Sequence, residues 1–535
     1  MDGIDPNFVN ALCPDDLERV VDVLDGAFAR MPALMNAGIK SIINGPITYT
    51  IDGAPLVGKI PGKENAFCII GLRAGLGEGG GHGWLLAQQI VHGEACYDTW
   101  CLDPRRFTSN TNVEMTSLKA IEDYQNEFRF HFPHEQRPAA RRAKTTSLTS
   151  VMEKENAEFT VINGWERVEY IKPSEDFHTS LSFHFDEAFE IVANEVKNIQ
   201  NNVGLTEVNG FNRFEITGSD ASSFVNRMFC GNITQKPGRV GLGYLLNDFG
   251  MIKSEATISN IPASDRGPKR MWYGSAAASE LHDMDWLNQH LKDDEDVVIK
   301  SLTNEQTILL LAGPKSREVL SKCSREDWSK ETFPWLSVRE CFIGFSAATV
   351  MSVSFSGELA YEVHVPNESL YAAYITLNEA GKEFGMKLFG SRAVESMRME
   401  KGYLAWKSDL LTEFDPFEAG LERFVNLNKD NFIGKEALKS RLKDGPKQKL
   451  VCLKIDCKYA PAYSGASVID NDKVIGVITS GEWGYRVNLN LAYAYVNPEK
   501  SKEGTQMYID LLGELLLVEV IPFCSYDESY SRILM

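Results

Sequence analysis

The first stretch whose residue types suggest chemistry is a glycine-rich run, AGLGEGGGHG, at residues 74–83. Gly75, Gly77 and Gly80 satisfy the spacing G-x-G-x-x-G between an apolar strand, FCIIGL, and a helix, WLLAQQIV. Helix N-termini bind anions, and glycines let a ligand approach the backbone closely. A cofactor ring or phosphate packed on this run is the favoured interpretation, and a surface turn is the alternative. The following segment, HGEACYDTWCLDPRRF, does not read as the acid-ended strand of a dinucleotide fingerprint.

The second chemically suggestive stretch lies in the C-terminal half. Residues 352–364 read SVSFSGELAYEVH, and residues 390–404 read GSRAVESMRMEKGYL. In the latter, Arg392, Glu395, Met399 and Tyr403 have helical spacing, and PFEAGL at 416–421 is predicted to begin another helix. Charges at such spacing usually form a solvated face, so spacing alone does not identify a site.

The elements that must position these residues change along the chain. Residues 15–31 have the spacing of an amphipathic helix with one buried face, and residues 101–154 read as a polar surface connector. Helices such as 185–200 then alternate with strands such as 212–217, 255–260 and 347–354, without regular crossover spacing. This order predicts an α+β fold. Beyond about residue 444, short strands separated by turns predict a small β-barrel or jelly roll.

Composition limits the function classes. The 535 residues are too many for one core and predict about three domains. The net charge of −19 argues against nucleic acid and anionic membrane surfaces as partners, and no apolar run is long enough to cross a membrane. The ten cysteines lack metal-knuckle spacing, so we expect reduced thiols and no metal site. The acidic start of the chain does not resemble a targeting leader.

Several motifs, taken together, resemble a known family. The stretches NGPITYTIDGAPLVG, GLRAGLGEGGGHGWLLAQQIVHGE and DPRRF resemble the C-terminal part of the FAD domain in the dimethylglycine and sarcosine dehydrogenases. The stretches GYLLNDFGMIKSEATI, SGELAYE, SRAVESMRMEKGY, PFEAGL, NKDNFIGKEAL and VIGVITSG resemble the aminomethyltransferase (T-protein) domain, which is also the C-terminal half of those dehydrogenases. The motifs cover nearly the whole chain in the family's order.

The resemblance implies a domain order. Residues 1–110 correspond to the C-terminal portion of a FAD-dependent oxidoreductase domain, and 111–184 to a connector from its central region. Residues 185–443 correspond to the folate-binding domain, and 444–535 to the barrel. The glycine run would pack on the flavin ring through residues that the resemblance assigns to FAD: Gly75, Gly77, Gly79, Gly80, Gly81 and His82. The family's first strand and its ADP-binding glycines lie upstream, so we expect an incomplete FAD site.

The resemblance also implies the folate site. Glu362 occupies the position whose carboxylate accepts two hydrogen bonds from the pterin of tetrahydrofolate. Glu255 stands where the aminomethyltransferases carry a catalytic aspartate beside the nitrogens that receive the one-carbon unit. It keeps the charge with one extra methylene. An exposed strand residue is the alternative interpretation of Glu255.

Further residues complete the predicted folate set, namely Val363, His364, Arg398, Trp406 and Arg423. Arg398, with Glu400, could equally form a structural ion pair. Arg423 replaces a tyrosine of the dehydrogenases and could meet the glutamate tail of folate. Trp406 is either a stacking surface or a buried aromatic residue. Phe355 also replaces a tyrosine.

The expected function is folate-dependent one-carbon transfer in the oxidative N-demethylation of a small methylated amine, yielding 5,10-methylenetetrahydrofolate. A separate FAD-domain subunit is a possible partner. The alternatives are a non-catalytic regulatory protein resembling the regulatory subunit of pyruvate dehydrogenase phosphatase, and a flavin-free folate-dependent demethylase. We expect the protein in the cytoplasm of a bacterium or in the mitochondrial matrix of a eukaryote.

Overall fold

The computed structural model describes residues 8, 9, 11–108 and 111–535. Residues 1–7, on which the expectation about a leader mainly rests, lie outside this part of the chain. We call residues 11–108 and 111–146 the N-terminal region. Its helices and strands are α1 (Val21–Arg30), β1 (Leu56–Lys59), β2 (Phe67–Ile70), α2 (Gly75–His92) and α3 (Val113–Gln125).

The helices of the N-terminal region pack little. None of the described residues of α1, α2 and α3 is buried, so the buried face expected for residues 15–31 is wrong. The glycine run also differs from its prediction as a loop, because α2 begins at Gly75 and includes it. The helix ends at Gly93, whose φ of 81° gives the left-handed cap that favours glycine.

Residues 148–444 form what we call the body. Its elements are α4 (Thr149–Lys154), β3 (Ala157–Ile162), β4 (Trp165–Ile171), α5 (Phe189–Asn201), β5 (Gly204–Val208), β6 (Phe211–Thr217), α6 (Ala221–Met228), β7 (Val240–Leu246), β8 (Ile252–Ile261), β9 (Arg270–Ala277), α7 (Glu280–Gln289), β10 (Val298–Ser301), β11 (Gln306–Ala312), α8 (Ser316–Cys323), β12 (Val338–Ile343), β13 (Ser346–Met351), β14 (Ala360–Pro366), α9 (Leu370–Gly381), β15 (Lys387–Leu388), α10 (Ser391–Lys401) and α11 (Lys435–Asp444).

Two sheets organise the body. A five-stranded antiparallel sheet has the order β10-β6-β9-β8-β7, and a six-stranded sheet has the order β12-β13-β14-β11-β5-β15. The outer face of the first sheet packs on α6 and α7 around Phe214, Phe224 and Trp286. One face of the second packs on α8 and α9 around Leu311 and Tyr374. This arrangement confirms the predicted α+β class.

A closed barrel follows the body. Its strands are β16 (Lys449–Ile455), β17 (Ser467–Asp470), β18 (Lys473–Gly484), β19 (Leu489–Val496), β20 (Gln506–Leu511) and β21 (Glu514–Ile521). The barrel confirms the small C-terminal β domain. Tyr493 and Tyr495 on β19 donate hydroxyl hydrogen bonds to the carbonyls of Met399 (2.6 Å) and Asp409 (2.9 Å), so the barrel is fixed to the body.

Two local features differ from expectation. PFEAGL forms a turn rather than a helix: Asp415 Oδ1 accepts from the backbone N–H groups of Phe417 and Glu418, and Gly420, with φ of 71°, reverses the chain. Leu148 and Met152, which lie inside the polar surface connector predicted at residues 101–154, pack into the core of the six-stranded sheet. In the described part of the chain, no helix has the length and apolar character needed to cross a membrane.

Candidate functional site

The two sheets of the body face each other. Ser259 Oγ on β8 lies 3.2 Å from Met351 Sδ at the end of β13. The rings of Trp272 on β9 and His364 on β14 lie 5.9 Å apart. These contacts close one end of the space between the sheets, and the site is built from side chains that point into this space.

Glu362 points into the space from the six-stranded sheet. It pairs directly with Leu310 and Met351 on the neighbouring strands, and paired residues share a face. Its side chain is 32% exposed, whereas that of His364 is 1% exposed. Val363 points to the opposite face, into the core. The structure therefore places Glu362 and His364 between the sheets and leaves only the backbone of Val363 near them.

The Glu362 carboxylate is held ionised. Burial alone would raise its pKa, but His364, whose Nε2 lies 3.0 Å from Glu362 Oε2, and the charge of Arg213 lower it. Burial and Arg213 lower the pKa of His364 to about 4, so the ring is neutral at neutral pH. A carboxylate in this state accepts hydrogen bonds from a ligand that presents two donors.

Glu255 points into the same space from the five-stranded sheet. Glu255, Thr257 and Ser259 are every second residue of β8, so their side chains lie on the same face of the sheet. Glu255 lies four residues from Ser259, which corresponds to about 13 Å along the strand. Burial and the Asp409 carboxylate raise its pKa to about 7, against a hydrogen bond with Tyr244 that lowers it. Glu255 can therefore exchange a proton near neutral pH, which Glu362 cannot.

Aromatic residues and one arginine lie close to Glu255. The ring of Tyr244, which is paired with Glu255 on β7, lies 5.2 Å from that of Phe424. The exposed Arg423 lies over Phe424, with its guanidinium carbon 4.8 Å from the ring centroid. No ion pair of Arg423 occurs among the described residues, so its guanidinium is available to an anionic ligand. Phe355 and Tyr403 stack nearby, 5.9 Å apart.

Arg398 has a structural role. Its Nε donates to Glu395 (3.0 Å), Nη1 to Asp409 (2.8 Å) and the Tyr403 carbonyl (3.0 Å), and Nη2 to Ser480 (3.0 Å) and Glu395. These contacts use all five guanidinium donors. Arg398 therefore fastens α10 to the barrel and has no donor left for a ligand.

Glu400 and Trp406 also make structural contacts. Glu400 forms a buried ion pair with Arg486. The Trp406 indole N–H donates to the Lys253 carbonyl at 3.2 Å, and its ring lies 5.1 Å from that of Trp100 in the N-terminal region. Trp406 is thus packed at the junction between that region and the body.

Asp98 makes several polar contacts at this junction. Its Oδ2 accepts from Lys407 Nζ (2.5 Å) and from the backbone N–H and hydroxyl of Thr412 (both 3.0 Å). Burial would raise its pKa, but Lys407 and Thr412 lower it to about 2. Lys253, two residues before Glu255, forms an ion pair with Glu94. The N-terminal region therefore contacts the strand that carries Glu255.

The glycine run is open. A Cβ added at Gly75, Gly77, Gly79, Gly80 or Gly81 would meet no atom of the described residues within 4 Å, apart from its own chain neighbours and helix backbone. His82 Nδ1 is buried, and no described residue forms a hydrogen bond with it. A bare helix face and an unused ring nitrogen fit one side of a flat cofactor. The described N-terminal residues have no second glycine-rich helix terminus of this kind for the rest of a dinucleotide.

Sequence reasoning missed Arg213, Tyr244 and Asp409. Arg213 and Tyr244 lie in the strand sequences FNRFEIT and VGLGYLL. The alternation of residues along a strand predicts which side chains share a face of the sheet, but not which residues of other strands they contact. Asp409 lies in a loop, where no periodicity marks it. No group of three or more histidine, cysteine or carboxylate side chains in the described residues could hold a metal ion.

Comparison with known families agrees with this architecture. The profile described as "GCVT N-terminal domain" matches residues 148–429, and "Glycine cleavage T-protein C-terminal barrel domain" matches 448–527. "FAD dependent oxidoreductase central domain" matches residues 92–146. The aminomethyltransferase T of the glycine cleavage system from Bartonella henselae has a similar fold: TM-score 0.61, 22% identity, covering 71% of this chain and 98% of that one.

Curated relatives match almost the whole chain. Human mitochondrial dimethylglycine dehydrogenase is 34% identical over 96% of this chain and 59% of its own length. Mouse sarcosine dehydrogenase and the mouse pyruvate dehydrogenase phosphatase regulatory subunit are each 27% identical over 92% of this chain, covering 58% and 57% of their own lengths. The chain thus spans about three-fifths of the length of these relatives. The chain belongs to the GCVT (glycine cleavage T-protein) family, whose N-terminal domain profile matches more than half of it, and it is similar over almost its whole length to the dimethylglycine and sarcosine dehydrogenases.

Proposed function

We propose that the chain performs the folate-dependent step of an oxidative N-demethylation, in which the carbon of an N-methyl amine is transferred to tetrahydrofolate. The observation that carries this proposal is the pair of carboxylates that line one space from facing sheets. The pKa of Glu362 is lowered, so this carboxylate is ionised, whereas the pKa of Glu255 is about 7. The substrate is a small methylated amine of the dimethylglycine or sarcosine type, and the product is 5,10-methylenetetrahydrofolate.

Each carboxylate has a separate role in this proposal. Glu362 accepts the ring N–H and the amino group of the pterin and thereby fixes its orientation. Glu255 lies beside the nitrogens that receive the carbon and stabilises the positive charge of the iminium group that arrives there. Addition of tetrahydrofolate to that iminium releases the demethylated amine and one proton. A carboxylate whose pKa is near 7 can accept this proton.

FAD, when bound, would supply the two-electron oxidation of the methyl group. The open glycine face of α2, with His82, would hold one side of it. We propose that the remainder of the FAD domain, in a longer chain or a separate subunit, covers this face. The exposure of Leu76 and Trp84 beside the glycines supports a protein surface there. We place the protein in the mitochondrial matrix of a eukaryote or the cytoplasm of a bacterium.

Calorimetry with tetrahydrofolate under anaerobic conditions tests the folate proposal. Wild type should bind, and Glu362→Ala should bind about 100-fold more weakly, because a charge-assisted bidentate contact is lost. Glu368→Ala, which removes an exposed carboxylate just beyond the same strand, is the matched control and should bind like wild type. Absence of binding by wild type would contradict the proposal.

Absorbance of the purified chain tests the flavin proposal separately. An incomplete site should carry little or no bound flavin. Stoichiometric yellow flavin on this chain alone would show that the FAD site is complete without a further polypeptide.

A regulatory role is the second candidate, because the pyruvate dehydrogenase phosphatase regulatory subunit is a relative and Phe355 and Arg423 depart from the dehydrogenases. The same calorimetry distinguishes the two candidates. Retention of both carboxylates favours folate chemistry, whereas a folded wild type that does not bind folate would favour regulation.

A further inference from the structure

Arg213 is a buried arginine whose charge is not matched by a contact. It lies on β6 with 5% of its surface exposed, and its guanidinium carbon lies 5.6 Å from the centroid of the Trp272 ring. Among the described residues, its guanidinium takes part in no hydrogen bond and no ion pair. Burial lowers the pKa of Arg213 to about 10, against the opposing effect of Glu362. The five guanidinium donors of this mostly buried residue are therefore available to a ligand or to ordered water.

The sheet register shows where Arg213 points. It pairs with Gly274 on β9, and Gly274 pairs with Thr257 on β8. Because paired residues share a face, Arg213 lies on the same face as Thr257 and Glu255 and points into the space between the sheets. Gly274 carries no side chain, so the surface beside Arg213 is open on that strand.

Arg213 faces Glu362 across this space. The two charges influence each other, yet no ion pair joins them, whereas Glu362 lies 3.0 Å from His364. Thr206, Leu310 and Met351 share the row of Glu362 and are uncharged. A cation and a carboxylate that face each other without forming an ion pair suit a ligand that presents donors to Glu362 and an acceptor to Arg213.

A pterin presents such an edge. Its amino group and ring N–H are donors, and the carbonyl oxygen at position 4 is an acceptor adjacent to that N–H. We propose that Arg213 donates to this carbonyl oxygen while Glu362 accepts from the adjacent ring N–H and amino group. This inference rests on the proposed folate function and adds a specificity: the site selects 4-oxo pterins over 4-amino pterins.

The test compares tetrahydrofolate with its 4-amino-4-deoxy analogue, in which an amino donor replaces the 4-carbonyl acceptor and the adjacent ring nitrogen carries no hydrogen. The analogue therefore changes the contacts to both Arg213 and Glu362, and the change in ligand preference on mutation of Arg213 isolates the part that Arg213 contributes. Wild type should bind tetrahydrofolate at least 10-fold more tightly. In Arg213→Gln, tetrahydrofolate should lose at least 10-fold in affinity and the 4-amino ligand little, so the ratio of the two dissociation constants should fall by about 10-fold. Arg213→Lys, which retains a charged donor, should retain part of the preference.

Arg167→Gln is the matched control. Arg167 is also a buried arginine, on β4, and its guanidinium lies over Phe211 on the same strand as Arg213. Its replacement should lower stability without changing the ratio of the two dissociation constants. Equal losses for both ligands in Arg213→Gln would show a merely structural role and overturn the inference. A wild type that binds both ligands equally would also overturn it, and a wild type that binds neither contradicts the folate function itself.

Discussion

The N-terminal region and the body use apolar residues in different ways. The hydrophobic core clusters begin at Leu148 and continue to the end of the barrel, whereas α1, α2 and α3 bury none of their described residues. Leu76 and Phe128 are almost entirely exposed. The body therefore carries its own stabilising core, whereas apolar side chains of the described N-terminal region stay exposed.

Polar contacts and the packing of Trp100 on Trp406 hold the two regions together. Asp98 bonds to Lys407 and Thr412, and Glu94 pairs with Lys253. Ion pairs and hydrogen bonds need defined geometry more than large buried area. The N-terminal region is thus positioned on the strand of Glu255 without a shared hydrophobic core, and the stability of the two regions should be separable.

The largest expected effect is in the body. Arg398→Ala would leave the buried Asp409 carboxylate without its cation and should lower the free energy of unfolding by about 4 kcal/mol. Urea denaturation followed by far-UV circular dichroism measures this loss.

Lys439→Ala is the control for Arg398→Ala, because it removes a surface cation paired only with Glu436 three residues earlier in α11. Its urea midpoint should equal that of wild type. A urea midpoint of Arg398→Ala equal to that of wild type would refute the assignment of Arg398 as the link between α10 and the barrel.

Glu255 should decrease stability at neutral pH. Its folded pKa of about 7 lies above the 4.5 that is usual for a glutamate, so near neutral pH the folded state retains a proton that the unfolded state releases. As pH rises from 4.5 through 7, wild type should therefore lose about 3 kcal/mol of unfolding free energy that Glu255→Gln does not lose. Urea midpoints should match at pH 4.5 and favour Glu255→Gln at pH 8. Equal midpoints at both pH values would mean that the Glu255 pKa is not raised.

The contribution of Asp98 to the stability of the junction should change with pH in the direction opposite to that of Glu255. The pKa of Asp98 is lowered from 3.8 to about 2, so its contribution is present above the unfolded pKa and is lost as pH falls through 2. Asp98→Asn should weaken attachment of the N-terminal region by about 2 kcal/mol at pH 7. Limited proteolysis should then cut within residues 11–146 while the body and barrel stay intact. Simultaneous digestion of the N-terminal region, the body and the barrel would show that these three parts unfold as one unit.

The sequence predicted the structure of the body and the barrel better than that of the N-terminal region. Strand alternation and turn spacing predicted the α+β body and the barrel, because their periodicity reflects a core that the chain itself supplies. The same reasoning gave α1 a buried face, since amphipathicity shows which side is apolar and not what covers it. Glycines lower helix propensity, and for this reason Gly75–Gly81 were predicted as a loop. The donors of Arg398 and the face of Arg213 depend on residues far apart in sequence, such as Asp409 and Glu362, which no local pattern connects.

The smallest expected effect is the most direct test of the contrast between the regions. Leu76→Ala and Leu320→Ala make the same deletion, but Leu76 is exposed on α2 and Leu320 is buried in α8. Leu76→Ala should change the free energy of unfolding by about 0.5 kcal/mol or less, because no packed contact is lost. Leu320→Ala should cost about 3 kcal/mol by leaving a cavity. If Leu76→Ala also cost more than about 1 kcal/mol, α2 would be packed in this chain alone, and its glycine face would need no further polypeptide.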